Sequence, residues 1–257
     1  MVSSSDVPAL RRGLAVLRLI AGRPGPVSAA TVARELGLPR STTYHLLAEL
    51  AEAGFVTHLP EERRYGLGVS AFEVGSAYLR HDPLERLARP LLRRFADRVG
   101  HTVHLGVLHG AETLYVVREQ PAHPQTLVTS VGVRLPAQLP ASGQAMLAHL
   151  PAAQIRALFP GKDSFVDRTG RGPGDLPSLR RVLSAQRRRG WAVEDGYVTA
   201  GYASVAAPVF DHGHRPIAAI SATFRHECDP ECGETWPSLA AEVQKAAAEM
   251  TSRVGGV

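Results

Sequence analysis

One segment, residues 28–68, restricts the possible folds of this chain more than any other part of the sequence. Its first part carries apolar side chains at helical spacing, at Ala29, Val32, Ala33 and Leu36. Gly37 is suited to end this helix, and Pro39 is suited to open the next one. The second helix has an apolar stripe of its own, formed by Thr43, Leu46, Leu47 and Leu50. Two amphipathic helices joined by so short a turn predict a helix-turn-helix.

Two short strands are predicted after these helices. They cover residues 55–57 and 65–67, and a charged tip at residues 61–64 separates them. An earlier helix is predicted to pack beneath the helix-turn-helix through Leu10, Leu14, Leu17 and Ala21. Helix, tight turn, helix and β-wing together predict a winged helix-turn-helix, whose second helix enters the major groove of DNA.

The second helix and the wing carry polar side chains suited to DNA. The predicted DNA-binding residues are Arg40, Ser41, Thr42, Thr43, Tyr44, His45, Arg63 and Arg64. Hydroxyl, imidazole and guanidinium groups donate to phosphates and base edges, and arginine matches a phosphate in geometry and charge. Some winged helices bind proteins instead, but this composition favours double-stranded DNA as the partner.

Composition is that of a globular protein and does not identify a partner. Of the 257 residues, 44% are hydrophobic and 21% are charged, which is ordinary for a globular chain. Residues 1–80 hold nine arginines and seven acids, so they contribute only +2 to the net charge of +5. The N-terminus lacks the apolar segment of a signal peptide, and no apolar run reaches the length of a membrane span. We therefore expect a cytoplasmic protein without a membrane partner.

The sequence divides into four parts. We predict a disordered tail at residues 1–9, a winged helix-turn-helix at 10–68, a linker helix at 69–82 and a second domain at 83–254. From Thr102 the apolar residues begin to alternate, which indicates strands. Further strands are predicted near residues 127–129, 191–193, 203–210 and 216–224. Because helices are interspersed with them, the second domain is predicted to be an α+β fold on an antiparallel sheet.

With these segments in this order, the chain resembles IclR-type transcription regulators over roughly residues 8–254. The resemblance rests on ELGLPRSTTYHLLAELAEAGFV, RYGLG, GVRLPAQLPASGQAMLAHLP and RRRGWAVEDGYVTAGYASVAAPVF. It implies a winged helix, a linker helix and a C-terminal effector-binding domain with a GAF-like sheet. It also implies a homodimer or homotetramer on a palindromic operator, a small organic acid as effector, and no cofactor.

The resemblance further implies an effector site between the segment around residues 135–143 and the later strands. Its members here are Leu127, Leu135, Ala141, Ser142, Gly143, Glu194, Tyr202, Ser204, Ser221 and Thr223. Ser221 and Thr223 are two apart on a strand, so their hydroxyls share a face. The start of the helix after Ala141 offers backbone N–H groups to a carboxylate. The alternative is that the hydroxyls satisfy buried backbone groups.

Two other functions are open to the second domain. It could be an enzyme that acts on a small metabolite, with the winged helix as an accessory, but the sequence shows no recognisable catalytic constellation. It could be a thiol or metal sensor, because His226, Cys228 and Cys232 are spaced as zinc ligands can be. No fourth ligand is evident, so we predict neither catalytic residues nor a metal site.

Overall fold

The computed structural model describes residues 7–81, 83–121, 130–226 and 236–256. The chain forms two compact units, Met1–Asp82 and Pro83–Val257. The elements of the first unit are α1 (Pro8–Ala21), β1 (Val27–Ser28), α2 (Ala29–Leu36), α3 (Arg40–Glu52), β2 (Val56–Leu59), β3 (Arg64–Leu67) and α4 (Val69–His81). The predicted helix-turn-helix and wing are therefore confirmed.

The turn between α2 and α3 follows from local residue chemistry. The side chain of Ser28 caps α2 by accepting a hydrogen bond from the backbone N–H of Thr31 at 3.2 Å. Gly37 ends the helix in the left-handed conformation, with φ of +61°, which a residue with a Cβ adopts only at a cost. The backbone N–H of Leu38 then bonds to the carbonyl of Ala33 at 2.9 Å. These interactions set where α3 begins.

Helix α1 packs with a face that shares only Leu17 with the predicted one; Leu17 contacts the core of the first unit. The buried residues of the helix are Gly13, Val16 and Ile20. Leu10 and Leu14 are 60% and 46% exposed, so the prediction that they lie beneath the helix-turn-helix was wrong. Both stripes of this helix are apolar and both have helical spacing, so periodicity alone could not decide which one is buried.

The wing is a three-stranded antiparallel sheet in the order β1-β3-β2. Tyr65 pairs with Val27 of β1 on one side and with His58 of β2 on the other. The rings of His58 and Tyr65 stack at 4.6 Å between centroids. The two-residue strand β1, which the sequence analysis missed, thus ties the wing to the start of α2.

The second unit contains eleven helices and strands among its described residues, together with a short 3₁₀ turn. They are α5 (Pro83–Val99), β4 (Thr102–His109), β5 (Glu112–Glu119), β6 (Arg134–Pro136), α6 (Ala141–Leu147), α7 (Ala152–Leu158), α8 (Leu176–Arg189), β7 (Ala192–Asp195), β8 (Tyr202–Phe210), β9 (Pro216–Arg225) and α9 (Trp236–Arg253). The predicted strand at 127–129 lies outside the described residues.

Six strands form one sheet in the order β6-β5-β4-β9-β8-β7, and every neighbouring pair is antiparallel. The predicted α+β class is confirmed. Helices α5 and α9 cover one face, where Leu92, Phe95, Val103, Ile220 and Met250 belong to the main core. Because side chains alternate along a strand, the residues between these core positions point to the opposite face.

The opposite face carries small and polar side chains. Helix α6 packs on its apolar part through Ala141, Ala145 and Met146, against Ala206 and Ala219 of the sheet. The remaining positions of this face are polar and largely buried, and together we call them the polar face. They are Thr102, His104, Thr113, Tyr115, Arg118, Glu194, Ser204, Ser221 and Thr223.

Candidate functional site

The first site is the outward side of α3. Arg40, Ser41, Tyr44 and His45 are exposed, and Tyr44 is exposed to 56%. Thr42 is half-buried. Their side chains project from the first two turns of the helix, where a helix-turn-helix contacts base edges in the major groove. The predicted polar face of this helix is therefore accessible in the folded unit.

Thr43 is a correction to the predicted DNA-binding set. Its side chain is only 1% exposed, and its hydroxyl donates to the carbonyl of Pro39 at 3.1 Å. Position 43 lies on the same helical stripe as Leu47, which is fully buried. Because the stripe faces the core of the unit, Thr43 fixes the first turn of α3 and does not reach DNA.

The two wing arginines differ in their surroundings. Arg63 is exposed at the tip, where it has φ of +52°. Arg64 begins β3, and its guanidinium donates to the carbonyl of Pro26 at 3.2 Å. Both side chains remain exposed, so both guanidinium groups can approach a phosphate, with Arg64 held closer to the sheet.

The second site is the polar face of the large sheet. The hydroxyl of Ser204 lies between two predicted members of the site: it donates to Glu194 Oε1 at 2.9 Å and lies 3.0 Å from the Thr223 hydroxyl. The other oxygen of Glu194 accepts from the backbone N–H of Tyr197 at 3.0 Å. Ser204 and Thr223 thus bond to side chains, which argues against the alternative that they merely satisfy backbone groups.

Glu194 is only 3% exposed. Burial raises the pKa of this carboxyl to about 7, against the opposing effect of hydrogen bonds from Ser204, Tyr197 and Val198 that favour the charged form. Near neutral pH the group is therefore present in both protonation states. In the neutral form it can donate to a ligand oxygen, and in the charged form it can accept from a ligand hydroxyl.

Ser221 lies beside this cluster and is 1% exposed. It is opposite Ala206 on β8 and opposite His104 on β4. Its hydroxyl has no hydrogen-bond partner among the residues that the structure describes, and the hydroxyl of Thr102 has none there either. A buried hydroxyl without a partner is uncommon and costs free energy, so each one requires an explanation.

Helix α6 closes part of the polar face. The Ser142 hydroxyl lies 3.4 Å from the phenol oxygen of Tyr115. A Cβ added at Gly143 would lie 2.2 Å from the carbonyl oxygen of Ala137, so Gly143 packs tightly against the chain itself. Ala141, Ser142 and Gly143 are all buried. The structure thus places this segment against the site, with Gly143 in a packing role.

The three remaining predicted members are less central. Leu135 on β6 is 3% exposed and lies opposite Thr113, so it forms the edge of the polar face. Tyr202 begins β8, two residues before Ser204, and is half-buried. Leu127 lies outside the described residues.

The sequence analysis missed five residues of the polar face: Thr102, His104, Thr113, Tyr115 and Arg118. The rings of His104 and Tyr115 lie 4.7 Å apart. Burial lowers the pKa of His104 to about 3, with the charge of Arg118 as a second cause, so its imidazole is neutral at pH 7. Burial also raises the pKa of Tyr115 to about 12, which keeps its phenol protonated. The alternation of Thr102 and His104 along β4 was the signal that could have revealed this side of the site.

The suggested metal site is not tested, because Cys228 and Cys232 lie outside the described residues. Within the described ranges, no group of three or more His, Cys, Asp or Glu residues could hold a metal ion. His226 Nδ1 lies 3.0 Å from Asp195 Oδ1. Of the helices with described residues, none is long and apolar enough to cross a membrane.

A winged helix-turn-helix joined to a sheet domain with a buried polar face defines a class of protein: a DNA-binding regulator with a sensory domain. Residues 9–60 match the family model described as the IclR helix-turn-helix domain. Residues 76–252 match the model described as the C-terminal domain of the bacterial transcriptional regulator IclR. The chain belongs to the IclR family of transcription regulators, and DNA is its partner.

Individual proteins agree with this assignment. The chain is 31% identical to the transcriptional repressor IclR of Escherichia coli over 261 residues, which cover 99% of this chain and 93% of that one. It is 32% identical to the glycerol operon regulatory protein of Streptomyces coelicolor, over 97% of both chains. A crystal structure of an IclR homolog from Microbacterium hydrocarbonoxydans, complexed with 4-hydroxybenzoate, has the same fold, with a TM-score of 0.80. That protein is 24% identical over 96% of this chain and 98% of its own.

Proposed function

We propose that this regulator binds a palindromic operator as a dimer and that a small organic acid, bound on the polar face of its second unit, changes its affinity for the operator. The observation that carries the effector part of the proposal is the buried Ser221 hydroxyl, which has no partner among the described residues. A bound ligand would supply the missing hydrogen bond.

The operator part is supported by α3. Arg40, Tyr44 and His45 are exposed along one side of the helix, and Arg63 and Arg64 would contact the flanking backbone. His45 offers an imidazole to the DNA, which cannot make the bidentate guanine contact that an arginine makes.

The dimer is supported by exposed apolar side chains of the first unit. Leu10 and Leu14 on α1, and Val69, Phe72 and Val74 on α4, are each at least 46% exposed, and Phe72 reaches 74%. Large exposed apolar side chains in such number mark interaction surfaces. One winged helix also reads only a half-site. Light scattering that shows a monomer at micromolar concentration, with and without DNA, would contradict this part of the proposal.

The effector is proposed to be a carboxylate with an aromatic or short aliphatic body, and 4-hydroxybenzoate is a first probe. The Ser204, Ser221 and Thr223 hydroxyls would bind its polar groups, and Glu194 would meet a hydroxyl or oxo group of the ligand. Leu135 and Tyr202 would contact its body. Glu194 repels an anion when it is charged, so a ligand with a hydrogen-bonding group at that end is favoured.

The proposal is tested by fluorescence anisotropy with labelled DNA from the region upstream of the regulator's own gene, titrated with a panel of small acids. An acid that acts as effector should shift the operator affinity of the wild type. Combining Ser221→Ala with Thr223→Val should remove this response and leave operator affinity unchanged. The matched control combines Ser184→Ala with Ser252→Ala, both at exposed helical positions. An unaltered response in the polar-face variant would place the effector elsewhere.

A further inference from the structure

Arg118 is a partly buried arginine on the polar face. It lies near the end of β5, opposite His104 on β4. The next residue, Glu119, forms an ion pair at 3.8 Å with Arg89 of α5 on the other side of the sheet. Because neighbouring side chains of a strand point to opposite faces, this contact places the Arg118 side chain on the polar face.

The positive charge of Arg118 is not balanced within the described part of the chain. No ion pair of the described residues includes it, and its Nε atom is buried and has no hydrogen-bond partner among them. The nearest groups across the sheet are His104 and Ser221, neither of which is an anion. Burial lowers the pKa of Arg118, yet a guanidinium stays charged at neutral pH.

The hydroxyls next to this arginine also lack partners. Thr102 lies two residues before His104 on β4, so both side chains point to the same face. Ser221 lies opposite His104 on the adjacent strand β9. Both side chains are at most 2% exposed, and neither hydroxyl oxygen has a partner among the described residues. One guanidinium and two buried hydroxyls thus lie on the same face of the sheet, and all three can donate a hydrogen bond to an anion.

The acidic residue of the polar face, Glu194, lies at the opposite edge of the sheet from Arg118. Glu194 is on β7, four strands from β5, which corresponds to about 19 Å between backbones at a spacing of about 4.8 Å per strand. The polar face therefore has a cationic end at Arg118 and an end at Glu194 that can accept from, or donate to, a ligand hydroxyl.

We propose that Arg118 is the anion-binding residue of the effector site: its guanidinium binds the carboxylate of a small acid, with the Ser221 and Thr102 hydroxyls beside it. This inference rests on the proposed function, in which the polar face binds the effector. A guanidinium binds a carboxylate through two parallel hydrogen bonds. The effector is thus recognised as an anion at β5 and β4.

The test compares an acid with its uncharged amide on the full-length protein. The probes are 4-hydroxybenzoate and 4-hydroxybenzamide, and lactate and lactamide, measured by isothermal titration calorimetry at pH 7.5. We expect the wild type to bind an acid at least 10-fold more tightly than its amide. Arg118→Gln should weaken acid binding about 10- to 100-fold, as expected for a lost charge-assisted hydrogen bond, and leave amide binding unchanged. Arg118→Lys keeps the charge and should restore part of the affinity.

The control is Arg93→Gln, at an exposed arginine of α5, which should not change the affinity for any probe. Three results would each overturn the inference. Arg118→Gln could bind the acid as tightly as the wild type does, the wild type could bind acid and amide equally, or it could bind neither acid. The Ser221→Ala and Thr223→Val combination separates the two proposals. If that variant loses acid and amide alike while Arg118→Gln does not weaken acid binding, the proposed site stands and the role of Arg118 fails.

Discussion

Replacing Glu194 by glutamine should stabilise the second unit at pH 8 and change its stability much less at pH 5. The carboxyl is almost fully buried, and burial raises its pKa from 4.5 to about 7. Between these two values the folded protein binds a proton that the unfolded chain has released. Stability therefore falls as the pH rises from about 4.5 to about 7, and the loss is complete above that window.

The size of the effect follows from the shift. A difference of about 2.5 pKa units at about 1.4 kcal/mol per unit gives roughly 3 kcal/mol at pH 8. Glutamine keeps the shape of the side chain and can still accept from the backbone N–H of Tyr197 while it donates to the Ser204 hydroxyl. It removes only the charge, so Glu194→Gln should regain most of this free energy.

Urea unfolding followed by tryptophan fluorescence measures this change, because both tryptophans, Trp191 and Trp236, belong to the second unit. The wild type and Glu194→Gln are compared at pH 5 and pH 8. Glu112→Gln, at an exposed position of β5, is the control for a general effect of removing a carboxylate. The same free-energy difference between Glu194→Gln and the wild type at both pH values would refute the reasoning.

Three further predictions concern the other elements. Tyr44→Ala combined with His45→Ala should abolish discrimination between operator and random DNA, because each lost base contact costs about 1–3 kcal/mol of binding free energy. The circular dichroism spectrum should not change. Unchanged operator affinity in fluorescence anisotropy would contradict this prediction. Thr43→Val removes the hydrogen bond to Pro39, so thermal unfolding should show that the free energy of unfolding falls by about 0.5–1.5 kcal/mol. The relative affinities for operator variants should not change. Gly143→Ala places a Cβ against a main-chain carbonyl and should lower the free energy of unfolding of the second unit, measured in urea, by an amount typical of overpacking, about 1–3 kcal/mol.

Much of the fold could be predicted because its signals are local in the sequence. Helix α8, at Leu176–Arg189, shows such local signals. The side chain of Asp175 caps its first turn, and Gly190 ends it in the left-handed conformation. The turn after α2 was predicted from Gly37 for the same reason. A cap, a glycine and a helical stripe act within a few residues, so the sequence displays them directly.

Very short strands escaped prediction. β1 has two residues and β6 has three, too few for an alternating pattern to be recognised. Each forms only because a longer strand, β3 or β5, is already in place to pair with it. The packing face of α1 was not predicted for a related reason. The helix has two apolar stripes, and contacts with the rest of the unit determine which one is buried.

The sequence by itself determined the helix-turn-helix, the antiparallel α+β class and the common face of Ser221 and Thr223, because each depends on the spacing of residues along one segment. Tertiary structure decided what surrounds those hydroxyls. Strand β4 pairs with β9, more than a hundred residues later in the chain, and this pairing brings His104 next to Ser221. β5 then adds Arg118. Such neighbours are chosen by the order of strands in the sheet, which no local pattern encodes, so the cationic end of the polar face became visible only in the folded protein.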